Sequence, residues 1–318
     1  MGARSPEAPG ESRRALFAVA LAAVLWGGTF VLGKVALEEI TPTWLIAWRF
    51  ALGAGALLPF VRWRRVRLGR EEILMTLAGG AIAALVVFLL QFEGLARTTA
   101  SSAALLVAVL PPLLAIAALV VDREIPSRTT WVAIGLSVVG VLLLVGRSGP
   151  GRTLLGDALC LSSMVGAVAW TLLSRRLARR IGALAATALQ FTVGVPLLVG
   201  LGLWRGGAAV PVSPEAWGAV LVLGTACTAL TFWLFNWGVL RVQAARAGVL
   251  SNIEPAVGAL LGVTLLGETL GPLASLGGAL LIAAAVLASR ADTSGAVATP
   301  DIASAVPLTA LDVRPLRK

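Results

Sequence analysis

Apolar residues gather along the chain into ten runs of spanning length, and polar or charged residues collect in the short breaks between them. Windows of about 20 apolar residues, the length that crosses ~30 Å of hydrocarbon, lie at 15–34, 43–61, 72–92, 99–121 and 129–146. Five more lie at 154–174, 183–204, 215–238, 244–266 and 269–289. Each predicts a transmembrane helix, and breaks this short predict that successive helices pack as hairpins. The stretch after Arg290, rich in Pro, Ala, Thr and Ser, lacks the apolar content to fold and is expected to be a disordered tail. The predicted layout is a tail over 1–14, five helices over 15–146, a linker over 147–153, five helices over 154–289 and a tail over 290–318.

Composition agrees with that pattern: hydrophobic residues make up 58% of the 318, charged residues 13%, and mean hydropathy is +0.91. A formal charge of +10 in a soluble protein would suggest nucleic acid. Here the basic residues sit in clusters between spanning runs, which sets nucleic acid aside. With a cytoplasmic N-terminus, the inner segments hold 20 Lys and Arg and the outer segments 5, with Arg49 left inside the second window. The positive-inside bias therefore places both termini in the cytoplasm and the chain, multi-pass, in the inner membrane. Arg13 and Arg14 precede an apolar run as in a signal peptide, but the run extends to about Leu32, so a retained first helix is expected. Two cysteines without ligand spacing and no histidine leave no metal site or redox chemistry indicated, and no cofactor is called for.

The chain also repeats itself. A shift of 144 places Gly80 on Gly224, Phe88 on Phe232, Gly94 on Gly238, Arg97 on Arg241, Pro111 on Pro255 and Glu124 on Glu268 without a gap. Five helices per half force the halves into opposite orientations, which predicts an all-α integral membrane fold of ten transmembrane helices as two inverted five-helix repeats. The motif LWGGTF at Leu25–Phe30, WRF at Trp48–Phe50, and the paired Pro111/Glu124 and Pro255/Glu268 resemble the drug/metabolite transporter superfamily, of EamA type. The resemblance covers about residues 15 to 289 and implies export or exchange of small metabolites through a central cavity between the halves. It implies no particular substrate. The second half departs from the first, with Arg49 aligning near Gln190 and Trp26 near Ala167.

Polar side chains inside apolar windows are the candidate chemistry, because each needs a helix partner or a water-filled cavity. The richest window carries Ser251, Asn252, Glu254 and Pro255. Glu254 lies about 15 Å deep, near the midplane, where an ionised carboxylate must face protein or water or else take up a proton. Pro255 blocks a backbone hydrogen bond and predicts a kink, with a twin in Pro111; Glu254 has no twin, because Leu110 stands in its place. Glu254 is accordingly the candidate for proton coupling, and its plainer role is to close a structural network. Arg49 either faces the pathway, attracting an anionic group of a substrate or pairing with a carboxylate, or it snorkels or forms a structural pair with Glu38 or Glu39. Trp26, Phe30, Gln91, Ser101, Ser102, Trp170 and Asn236 complete the predicted pathway, although packing accounts for many of the aromatics. Glu124 and Glu268 each begin the helix after the kinked one and are expected to cap it. Gly258 and Gly262 form a GxxxG that permits close helix packing. Gly28–Lys34 fits the GxxxxGK of a phosphate loop, but it lies within a spanning helix, so no nucleotide hydrolysis is expected.

These features predict a secondary transporter of a small organic metabolite or drug-like solute working by alternating access, and the family resemblance alone implies export as its direction. A passive facilitator or exchanger and a non-transporting membrane subunit are the alternatives. An intramembrane enzyme would need paired acids or a nucleophile with its base at one depth, and the acids here are scattered. The partners expected are a small-molecule substrate and the lipid bilayer, with protons and a second copy of the chain in a homodimer as further candidates.

Overall fold

The computed structural model of the protein describes residues 9–121, 127–144, 151–242 and 244–291. Glu124, residues 147–150 of the linker and most of both tails lie outside the described residues. Fourteen α-helices and no strand occur among the described residues, and every apolar window falls on helix. The first half contains α1 (Pro9–Leu37), α2 (Pro42–Leu57), α3 (Arg70–Ala81), α4 (Leu89–Leu95), α5 (Ala100–Val107), α6 (Leu110–Val121) and α7 (Arg128–Leu144). The second contains α8 (Leu154–Ile181), α9 (Ala183–Arg205), α10 (Pro214–Gly224), α11 (Thr231–Val239), α12 (Ala244–Ser251), α13 (Ile253–Leu265) and α14 (Pro272–Ala291).

Seven stretches are long and apolar enough to cross a membrane: Arg13–Leu37, Pro42–Phe60, Arg70–Leu95, Ala100–Val121, Leu154–Ile181, Ala183–Arg205 and Pro214–Val239. Arg128–Leu144, Val249–Leu265 and Pro272–Ala288 are shorter apolar helices. There are more helices than windows because four windows change geometry part-way. Two are π-helical in their middle, at Ile82–Phe88 between α3 and α4 and at Thr225–Leu230 between α10 and α11. Two others are broken outright. α5 gives way to a turn at Ala108–Val109 before α6, and α12 to a single turn residue, Asn252, before α13. The expected kinks at Pro111 and Pro255 are therefore breaks: each proline occupies the first turn of a new helix, where its missing N–H would have had no intrahelical acceptor.

Helix boundaries recur at the spacing seen in the sequence. α5 and α12 both start and end 144 residues apart, as 100–107 and 244–251. α3 and α10 start 144 apart at Arg70 and Pro214, α7 and α14 at Arg128 and Pro272, and α1 and α8 end 144 apart at Leu37 and Ile181. α7 and α14 pack on one another where Gly140 meets Gly277: a Cβ on Gly277 would stand 2.7 Å from the Gly140 carbonyl, so two backbones touch there.

Ion pairs tie helix ends together at the margins of the bundle. Arg180, at the end of α8, bridges Glu71 and Glu72 at the start of α3, each at 2.7 Å. Glu93, at the end of α4, holds Arg97 at 2.5 Å and Arg205 at 3.1 Å. Arg152 and Asp157 form a buried pair at 2.7 Å, and the second Asp157 oxygen accepts from Thr98 at 2.6 Å. Thr153 adds two hydrogen bonds to the Arg97 carbonyl, through its amide and its hydroxyl, so the entry to α8 is fastened to the α4–α5 turn.

Candidate functional site

α1, α8, α9 and α11 line a half-open cavity of about 160 Å³. Its walls are Trp26 from α1; Trp170, Thr171, Ser174, Arg175 and Ala178 from α8; Ala183, Ala186 and Thr187 from α9; and Phe232, Phe235 and Asn236 from α11. Helical spacing explains the set, since residues four apart, such as Trp170 with Ser174 and Phe232 with Asn236, share a face. Trp26 and Trp170 also stand 144 apart, so at the spacing that relates the helix ends Trp26 falls on Trp170 rather than near Ala167.

The apolar wall is a continuous set of rings. Trp26 lies edge-on to Phe232 at 5.5 Å and tilted against Phe235 at 5.1 Å, while Trp170 meets Phe232 at 6.2 Å and Phe88 at 5.9 Å. Trp170 donates its indole N–H to Oε1 of Gln190 at 2.9 Å, and the Ser174 hydroxyl donates to the same oxygen at 3.0 Å. That arrangement fixes the tryptophan ring and leaves buried donors over. Nε of Arg175, Nδ2 of Asn236 and Nε2 of Gln190 have no hydrogen-bond partner among the described residues.

Arg49 lies behind the ring wall rather than in the cavity. It is 2% exposed, and it pairs with neither Glu38 nor Glu39. Its Nε donates to Thr228 at 2.8 Å and an Nη to the Cys227 carbonyl at 3.4 Å, while the guanidinium stacks 4.9 Å from the Phe88 ring centre and 5.5 Å from that of Phe92. Both π-helical stretches therefore converge on this one cation, the first through Phe88 at its end and the second through Cys227 and Thr228. Widening the helix to a π-turn frees backbone acceptors, and the Cys227 carbonyl meets the guanidinium. Glu39 has its own partners: it caps α10 by accepting from the Val212 and Ser213 amides at 2.6 and 2.9 Å.

The broken helix α12–α13 packs on α1. Asn252 is buried at the break, and the Ser251 hydroxyl donates to the Ala247 carbonyl at 3.0 Å. The Glu254 carboxylate accepts no hydrogen bond among the described residues, and the charge it faces is the Arg49 guanidinium. Gly27, from the LWGGTF motif, lets α1 approach this point: a Cβ there would stand 2.8 Å from the Glu254 carbonyl. Gly258 gives the same kind of access one turn on, against Ala104 of α5 and Phe30 of α1.

Several predicted pathway residues have other places. Phe30 is buried in that α1–α13 contact, and Gln91 is buried on α4; neither lines the cavity. Ser101 and Ser102 belong to the capped start of α5. Glu268 was expected to cap its own following helix, but its carboxylate crosses to α5, accepting from the Ala100 amide at 2.6 Å, the Ser101 amide at 2.8 Å and the Ser101 hydroxyl at 2.6 Å. Ser102 donates its amide to the Thr99 hydroxyl, the N-cap of the same helix. The positive end of α5 and a carboxylate from the far half of the chain thus satisfy each other. Of the predicted pathway residues, Trp26, Trp170 and Asn236 line the cavity; Arg49, Ser251 and Glu254 lie on other helices, and Asn252 on the turn between α12 and α13, outside the lining. Arg175, Ser174, Thr171, Thr187 and Phe235 are additions from the structure, and the buried Asp157 is a further residue the sequence left unremarked.

A model of the EamA-like transporter family matches the chain twice, over residues 13–146 and 154–290. An uncharacterized transporter of Archaeoglobus fulgidus is 27% identical over 85% of this chain and 95% of its own length. The uncharacterized transporter YwfM of Bacillus subtilis is 28% identical over 86% and 93%. An S-adenosylmethionine/S-adenosylhomocysteine transporter of Chlamydia trachomatis is 31% identical over 55% of this chain and 57% of its own. A crystal structure with 20% identity superposes with a TM-score of 0.60 over 86% of this chain and 96% of that one, a likeness of fold alone.

Proposed function

Because the chain belongs to the EamA-like transporter family and is a multi-pass membrane transporter, we propose that it moves a small organic solute by alternating access about the cavity between Trp26 and Trp170. The observation that carries this reading is the cavity itself. Helices from both halves of the sequence line it, its walls are aromatic, and its buried N–H donors lack protein acceptors. In this reading Arg128–Leu144, Val249–Leu265 and Pro272–Ala288 complete ten spans as two inverted five-helix repeats, supported by helix ends that recur 144 residues apart. The α7–α14 pair serves as scaffold, and α5–α6 and α12–α13 are the discontinuous helices that move. Both termini lie in the cytoplasm, the membrane is the inner one, and the direction is export, as the distribution of basic residues and the family resemblance suggest.

Glu254 is the candidate for proton coupling. It has no hydrogen bond of its own among the described residues, and the Arg49 guanidinium, beyond ion-pair distance, is the charge that acts on it, so gaining or losing its proton changes the charge balance between α13 and α2. Reconstitution of the purified protein into liposomes tests the proposal. Saturable solute flux without added nucleotide supports a secondary carrier, and flux lacking a proton-gradient dependence supports a passive facilitator. Glu254→Gln should abolish any such dependence; an unchanged pH profile removes Glu254 from that role.

A further inference from the structure

The cavity's polar side is chemically one-sided. Arg175 is the one charged side chain in its lining, and Asp and Glu are absent from that lining among the described residues. Trp170 and Ser174 spend their donors on Gln190, and two residues of the lining, Arg175 and Asn236, carry buried N–H groups, Nε and Nδ2, without protein acceptors. A carboxylate complements that lining because it carries the charge opposite to Arg175 and brings acceptors and no donors to residues with N–H groups to spare. A cation would add donors and a second positive charge beside Arg175.

Size narrows the class further. An apolar cavity of about 150 Å³ accommodates benzene, so this half-open cavity of about 160 Å³ has room for one ring with a small substituent. The Trp26, Trp170, Phe232 and Phe235 rings offer such a ring edges and faces on several sides.

We propose that this cavity selects a single-ring organic anion, of the aromatic carboxylate class, over neutral and cationic solutes of the same shape. The proposal rests on the reading of the cavity as the substrate site. Benzoate, benzamide and benzylamine are matched probes, and ligand-dependent thermal stabilisation of the detergent-purified full chain reads their binding. Benzoate should stabilise saturably, with a half-saturation at least about tenfold below that of benzamide, and benzylamine should give no saturable shift. Arg175→Gln should weaken benzoate more than benzamide, so that the two half-saturations come close together. Asn236→Leu, which keeps the charge, should weaken benzoate and benzamide together. Benzylamine binding as tightly as benzoate, a benzoate preference that survives Arg175→Gln, or no saturable shift with any probe overturns the proposal.

Flux separates this proposal from the one beneath it. Selective benzoate binding in a protein whose liposomes carry no solute leaves an anion site and defeats the transport reading. Saturable flux of S-adenosylmethionine by a protein that ignores benzoate leaves the transporter and defeats the anion class.

Discussion

Removing the Glu268 carboxylate should loosen the join between the two halves of the chain. Three donors converge on it at 2.6 to 2.8 Å, and two are backbone amides at the start of α5 on residues with no solvent exposure. A hydrogen bond to a charged group contributes about 1.5–3 kcal/mol, so three taken singly would sum to well over 4 kcal/mol. The three share one carboxylate, and the Thr99 hydroxyl still caps the Ser102 amide, so the expected loss for Glu268→Ala is smaller, about 3 kcal/mol. Glu268→Gln keeps one acceptor oxygen and should lose about half as much. At about 2–4 °C per kcal/mol, Glu268→Ala should lower the unfolding midpoint by about 6–12 °C, read by tryptophan fluorescence in a single detergent. Thr264→Ala is the control, because that exposed hydroxyl bonds the Leu260 carbonyl of its own helix and should change little. A midpoint for Glu268→Ala within about 1 °C of the parent, or equal to that of Thr264→Ala, would refute the capping role.

Asp157→Asn breaks a buried pair in which Arg152 is 7% and Asp157 0% exposed; it should cost about 3–5 kcal/mol in unfolding free energy, and a loss below 1 kcal/mol would mean water compensates the arginine. Gly27→Ala places a methyl 2.8 Å from the Glu254 carbonyl and should lower both stability and solute flux, whereas Gly28→Ala, with open space beside it, should leave both near the parent; equal effects would contradict the tight α1–α13 crossing. Hydrogen bonds from the Ser213 side chain and from the Ser213 and Val212 amides hold the Glu39 carboxyl below its ordinary value. Its contribution to stability is therefore present above about pH 4.5 and fades as pH falls through the lowered value, so Glu39→Gln should flatten the acid limb of a thermal-stability profile, and an unchanged limb would exclude it.

The spanning helices were legible because a lipid-facing helix declares itself by length and hydropathy, which are local properties. The two π-helical stretches were not, since Ile82–Phe88 and Thr225–Leu230 read as ordinary apolar helix and no residue type marks the change of pitch. Pro111 and Pro255 marked the right places, and the structure turned kinks into breaks because the chain ends one helix and starts another rather than bending one. Trp26, Trp170 and Asn236 stood out as ring or amide in an apolar setting. Arg175 did not, because in sequence it merges with Arg176, Arg179 and Arg180 as a membrane-end cluster, and only packing against α11 sets it beside the cavity. Glu268 read as a local cap because its partners lie 168 and 167 residues away, a pairing that helix propensity cannot disclose.

In the proposed mode of transport, solute crosses through the cavity between Trp26 and Trp170. Liposomes holding the purified protein and loaded with a whole-cell metabolite extract test it most directly, with released solutes identified by mass spectrometry. One solute or a small chemical group should leave protein-containing vesicles saturably, and Trp170→Ala and Asn236→Leu, shown to be folded by thermal unfolding, should slow that release at least about tenfold. Release no different from that of protein-free vesicles, or saturable release untouched by both substitutions, would contradict it.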